Sequence, residues 1–213
     1  MGKKPTPRKA DTRSARTTDM ETRLTEAMLD LAASRGWRDI GLSDIAHAAG
    51  ARMSELYPDY PGKRAVLAAF VRRIDREVLA SGFKFAPEDS ARDRLFEVLM
   101  RRFDALQPHR EAIRRIRRDL RRAPADAAWL LPMLVCSMSW MLAAAEVGAD
   151  GPAGGVKATG LAGVWLRTMT VWVDDDTADM ARTMASLDRN LGRAGRWAQL
   201  LFGRGGRARR ATA

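Results

Sequence analysis

Two histidines (His47 and His109), one cysteine (Cys136) and the run Asp174-Asp175-Asp176 are the residues of this 213-residue chain best suited by type to acid–base, nucleophilic or metal chemistry. None is set in a working pattern. His47 falls on the solvent side of a short helix, His109 follows Pro108 in a turn, and neither has a Ser, Cys or carboxylate partner in a recognisable arrangement. Phosphate-cradling Gly loops are missing. The three carboxylates invite a metal ion, yet nothing at ligand spacing completes a shell. Cys136 lies in an apolar run and reads as a packed thiol. Expected, then, is a protein that is not an enzyme and holds neither metal nor cofactor, so its chemistry is that of binding.

Binding chemistry is set by where the charge sits. The formal net charge is +11, and it belongs to the ends of the chain. Residues 1–23 carry seven Lys/Arg against three acids, residues 189–213 carry seven Arg and no acid, and residues 24–188 are neutral. Cationic ends attract polyanions, either DNA phosphate or an anionic membrane; as plain solubilising tails they would need no partner. Rich in Thr, Gly and Ala, they are expected to be disordered, over 1–18 and 204–213. The lone cysteine excludes an intrachain disulfide and fits a reducing cytoplasm, and the N-terminus lacks the apolar segment of a secretory signal.

The elements that must position any contact are helical. Apolar residues recur at three and four, and hairpin turns between alternating runs are absent. At the centre is LSDIAHAAGARMSELYPDYPGKRAVL, residues 42–67. Leu42, Ile45, Ala46 and Ala49 make one apolar helix face, Gly50 turns the chain, and a second short helix carries Leu56, Tyr57 and Tyr60 before Pro61-Gly62 and a longer helix from Lys63. This is helix-turn-helix grammar, in which the second helix enters a major groove. A first helix from about Asp19 to Arg35 supports it with Leu24, Ala27, Met28 and Leu31.

These residues resemble the TetR family of transcriptional regulators. The resemblance runs without a gap from Ile45-Ala46 through Ala49-Gly50, Leu56-Tyr57, Tyr60 and Lys63 to Leu67. It implies an all-α, TetR-like fold: a helix-turn-helix domain over 19–81, then a larger helical ligand-binding and dimerisation bundle over 88–203. It also implies that Arg52, Met53, Ser54 and Glu55 face bases of double-stranded DNA, while Tyr57 and Lys63 touch phosphate. On the other view, Leu56 and Tyr57 pack the small domain and Lys63 opens a helix. The chain departs from the family at Ala51-Arg52, where Val-Ser is usual, and at Pro58-Asp59, where an aromatic or His pair is usual. Asp59 repels phosphate and Pro58 shortens the helix.

Further helices are expected at about 63–80, with Val66, Leu67, Phe70, Ile74 and Leu79 inward, and at about 91–106, capped by Ser90. Ser81-Gly82 and Pro87 mark a domain boundary between them. Residues 110–122 hold seven arginines around an Ile113, Ile116 and Leu120 stripe, either a solvated face or a docking surface for acidic partners. Residues 127–145 lack charge and suit the centre of a bundle better than a bilayer, since Pro132, Ser137 and Ser139 interrupt them. Two more helices follow, at about 156–173 and from about 178 onward. The last ends in Trp197, Leu200, Leu201 and Phe202 among arginines, so residues 193–204 suit either peripheral membrane contact or a second subunit.

From Leu161 to Leu191 the chain also looks like the C-terminal region of the lipid-binding accessory family of ubiquinone biosynthesis, through Trp165, Thr168, Asp174-Asp175, Asp179, Thr183 and Leu187; residues 91–116 look similar to that family too. Both resemblances imply helices enclosing an apolar small molecule or lipid, with Trp129, Met133, Met138, Trp140, Met141, Trp165, Met169 and Trp172 as candidate lining. A packed core with no cavity is the competing view. The leading expectation is a homodimeric DNA-binding regulator whose operator binding an apolar effector controls. The alternative is a membrane-associated lipid or isoprenoid carrier that does not read DNA.

Overall fold

The computed structural model describes residues 9–208, with side-chain surroundings for residues 17–196. Among the described residues are nine α-helices, one 3-10 turn and no strand, the class that the three-and-four spacing predicts. The helices are α1 (Lys9–Arg35), α2 (Leu42–Ala48), α3 (Met53–Leu56), α4 (Lys63–Ala80), α5 (Ala91–Leu106), α6 (Arg110–Leu120), α7 (Pro124–Ala144), α8 (Gly151–Trp172) and α9 (Ala181–Ala208). They form two compact units. One holds the described residues through Arg73 together with Glu111–Arg122; the other holds Ile74–Arg110 and the described residues from Ala123 on.

In the first unit, Leu24, Met28 and Ala32 of α1 close over Trp37, Ile40, Ile45, Leu56 and Val66, all at most 3 % exposed. Gly50, at φ +61, ends α2 in a Schellman turn: Ala51 N–H reaches Ala46 O at 2.9 Å and Gly50 N–H reaches His47 O at 3.1 Å. The Arg23 guanidinium donates to Ala49 O at 3.2 Å, tying α1 to that turn. Helix α6 belongs here as well, not to the larger domain where its position in the sequence suggested. Its Ile116 is buried and its Asp119 carboxylate accepts from Arg38 N–H at 3.3 Å.

Three expectations of boundary are corrected. Residues 9–18, expected in a disordered arm, belong to α1; no Pro or Gly interrupts that stretch, so the helix propagates back through it. Residues 204–208, expected in a tail, belong to α9; residues 1–8 and 209–213 lie outside the described residues. The division between units falls within α4, after Arg73, and not at Ser81–Pro87. That segment is held in the second unit: Phe83 and Phe85 stack at 5.7 Å, Arg101 lies 5.6 Å from the Phe83 ring, and Arg94 lies 5.9 Å from the Phe85 ring while donating to Ala145 O at 2.9 Å.

The second unit packs α8 against α7 and α9, and α5 against α7 and α9. At its centre Phe103 stacks on Trp165 at 4.2 Å and meets Trp172 at 5.6 Å, and the Trp172 indole N–H donates to the Gln107 side chain at 3.0 Å. Beside them is a buried polar knot. Arg102 pairs with Asp75 at 3.0 Å, donates to Ser137 at 2.9 Å and lies 4.4 Å from the Trp165 ring, while the Ser137 hydroxyl donates to Asp75 at 2.9 Å. Burial lowers the Arg102 pKa and Asp75 opposes that.

Helix α7 differs from its expected place at the centre of a bundle. It is long and apolar enough to cross a membrane, and only 22 % of its most apolar stretch is buried. Ser137, Met138, Met141 and Leu142 face inward, whereas Trp129, Leu131, Trp140 and the Cys136 thiol are exposed. Alanine and proline made the sequence apolar all round, and periodicity therefore held no record of which face was covered.

Candidate nucleic-acid interface and ligand cavity

Helix α3 is one turn long, anchored by Leu56 at 1 % exposure and by Tyr60 at 9 % beyond it. Pro58 disfavours a helical conformation for the residue before it, and Tyr57 accordingly sits extended at ψ 135. On the outer side are Arg52, Met53, Ser54, Glu55 and Tyr57, all exposed, Tyr57 by 83 %. Of the competing views, Leu56 does pack the unit and Tyr57 does not.

Most of the charge around α3 is occupied. The Glu55 carboxylate accepts from Arg52 N–H at 2.8 Å and pairs with the Arg52 guanidinium at 3.5 Å; these bonds, the backbone one foremost, hold its pKa below the usual value. Glu55 thus closes the start of its own helix, as an acid at the third helical position does. Lys63, expected at phosphate, is engaged within its own unit. Its ammonium donates to Trp37 O at 2.7 Å and Ile40 O at 2.8 Å and lies 4.9 Å from the Trp37 ring, and burial, with Arg64 nearby, lowers its pKa. Two of its three donors satisfy carbonyls of the α1–α2 turn. Met53, Ser54, Tyr57 and the outer edge of Arg52 are what this turn offers to a partner.

The eight candidate pocket residues do not line one cavity. Met138, Met141, Trp165, Met169 and Trp172 are buried in the packed core, Met133 is half-buried, and Trp129 and Trp140 are exposed. A cavity of about 620 Å³ does exist in this unit, among α5, α7, α8 and α9, and none of the eight lines it. Its walls are Leu95, Leu142, Val156, Leu161, Val164 and Leu191, with Gly160, Gly163 and Gly195 leaving the space between them. Large side chains fill the volume around themselves; the signal for this cavity was the run of glycines within α8, where large residues are missing. Residues 193–204, expected to touch a membrane, fall partly outside the described side chains, which end at residue 196.

Asp174-Asp175-Asp176 serves structure. Asp175 is fully buried and accepts from the Thr177 hydroxyl at 2.6 Å, Thr183 N–H at 2.7 Å, the Thr183 hydroxyl at 2.6 Å and Thr177 N–H at 3.2 Å. Burial alone raises its pKa, but the bonds from Thr177 and Thr183 outweigh it and bring the carboxyl down to about 2. Arg110 donates to Asp175 O and pairs with Asp176 at 3.1 Å. The Thr177 hydroxyl accepts from Ala181 N–H at 3.0 Å at the start of the last helix, which begins at Ala181. Among the described residues no group of three or more His, Cys, Asp or Glu could hold a metal ion.

No protein-family model matches the sequence, and no curated protein matches it. Solved structures do. A TetR transcriptional regulator from Nitrosomonas europaea superposes with a TM-score of 0.64 at 20 % identity, over 83 % of this chain and 98 % of that one. One from Rhodococcus sp. RHA1 superposes with a TM-score of 0.55 at 17 % identity, over 82 % and 94 %. With an all-helical chain, a helix-turn-helix in its first unit and a larger helical second unit, this protein has the fold of the TetR-type transcriptional regulators.

Proposed function

We propose that this protein is a DNA-binding transcriptional regulator, a binding protein rather than an enzyme, in which α3 meets base edges in the major groove. The observation that carries the reading is the division of labour within one turn: Leu56 is buried under the unit while Tyr57, 83 % exposed, stands clear of it beside Arg52, Met53 and Ser54. A core residue and a presented residue side by side are what a recognition helix needs. The fold shared with solved TetR regulators supports it, and a cytoplasmic location accords with it.

The active form in this reading is a homodimer, placing two copies of α3 in successive major grooves of a pseudo-palindromic site. The exposed apolar residues Trp129, Leu131 and Trp140 of α7 and Leu166 of α8 support burial against a second copy. With Lys63 and Glu55 engaged inside the protein, attraction to phosphate falls to the cationic ends of the chain. An apolar effector in the second unit would control operator affinity by binding two states of the dimer unequally. The lipid-carrier alternative, with no DNA reading, draws no support from the regulators named above.

Fluorescence anisotropy with a labelled fragment of the gene's own upstream region, set against random DNA across a salt series, tests the reading. Expected is a preference for the upstream fragment, with Tyr57→Ala, whose exposure leaves thermal stability unchanged, weakening binding to both DNAs alike, as the loss of a phosphate contact does. Equal affinity for both DNAs at every salt concentration sinks it.

A further inference from the structure

The cavity among α5, α7, α8 and α9 has a chemical asymmetry that points to its ligand. Away from its arginines the wall is mostly apolar, with Leu95, Leu142, Val156, Leu161 and Val164, and the ammonium of the one lysine among these residues, Lys157, donates to Gly148 O at 3.0 Å. At the other end it opens, through Arg167, Asn190 and Arg193, into an adjoining cleft that adds Arg189. All three arginines are exposed, and among the described residues none has a carboxylate within ion-pairing distance, whereas nearby Arg92 is paired with Asp188 at 2.7 Å. Arg189 and Arg193 lie four residues apart on one face of α9, opposite Arg167 on α8.

The space itself is maintained at a cost. A Cβ placed on Gly160 or Gly163 meets nothing within 4 Å, so alanine would fit at either position and would favour the helix. Glycine there leaves bare backbone along the groove floor. The volume of about 620 Å³ falls inside the range of roughly 300–1,000 Å³ usual for small-molecule sites.

We propose that this groove binds a single-chain amphiphile with an anionic head, a long-chain fatty carboxylate, its tail along the glycine floor and its head held by Arg167, Arg189 and Arg193. Guanidinium groups pair carboxylates with bidentate geometry, and the apolar walls take the methylene chain. The role of this ligand as effector rests on the regulator reading; the binding site does not.

Titration of the full-length protein with cis-parinarate, read by its fluorescence in the absence of DNA, tests the site. Expected is saturable binding, displaced by palmitate and at least about tenfold less well by palmityl alcohol, which lacks the charge. Arg167→Gln with Arg193→Gln should weaken binding about tenfold or more. Gly160→Leu, which fills the groove, should abolish it without lowering the urea midpoint. The proposal falls if parinarate does not saturate, if both variants bind as the parent does, or if only anionic vesicles and not monomeric fatty acid are bound. It also falls if Gly160→Leu converts a dimer to monomer without touching parinarate binding, since the groove would then be covered by a second copy. A failed DNA-binding test leaves these outcomes unaffected.

Discussion

Replacing Asp175 with asparagine isolates one carboxylate whose energetic weight follows from its surroundings. The group is fully buried, accepts four hydrogen bonds from Thr177 and Thr183, and has its pKa brought to about 2. Against an ordinary aspartate near ~3.9, a folded-state value of about 2 corresponds through linkage to about 2–3 kcal/mol of stability at neutral pH. The sign follows from a folded pKa below the unfolded one: the contribution is complete above about pH 4 and is lost as pH falls toward 2. Asp175→Asn cannot titrate, and its amide offers one acceptor where four donors converge. In urea unfolding at pH 7, followed by tryptophan fluorescence, the variant should lose about 2–3 kcal/mol, which for a chain of this size lowers the melting temperature by roughly 5–10 °C. The gap between parent and variant should narrow steadily from pH 4 to pH 3. Asp176→Asn is the control, because Asp176 is 82 % exposed and its pair with Arg110 is worth less than about 1 kcal/mol. A gap under about 0.5 kcal/mol at pH 7, or one that stays constant with pH, refutes the assignment of that stability to the ionised carboxylate.

Lys63→Ala separates a structural cation from a phosphate contact: leaving two carbonyls without their donor should lower stability by about 1–3 kcal/mol while the slope of log K against log salt for DNA stays unchanged, whereas a phosphate contact would reduce that slope by about one. Asp75→Ala or Arg102→Ala should each lower the urea-derived stability by about 3–5 kcal/mol, because each strands a buried charge, and the double variant Asp75→Leu with Arg102→Met should recover most of it. Recovery in the double variant distinguishes an unpaired charge from a lost packing contact.

What could be read from the residues alone was whatever depends on near neighbours in the chain. Leu42, Ile45, Ala46 and Ala49 at helical spacing, the glycine stop at Gly50 and the Ser90 cap each act over a few residues, and each is where the residue types place it. The all-helical class and the helix-turn-helix followed from these local rules. Decisions that set residues far apart against one another came only from packing. Lys63 looked like a surface cation until the carbonyls of Trp37 and Ile40 were brought to it from 26 and 23 positions away. Asp119 joined α6 to the first unit by reaching Arg38, 81 positions earlier. Helix α7, apolar on every side, held no periodic signal to say which face was covered, and tertiary structure buried Met138 and Met141 while exposing Trp129 and Trp140. The cavity was the least legible feature, because a cavity is defined by atoms that are absent: side-chain size marks where volume is filled, and only the spacing of four helices decides where glycines such as Gly160 and Gly163 leave it open.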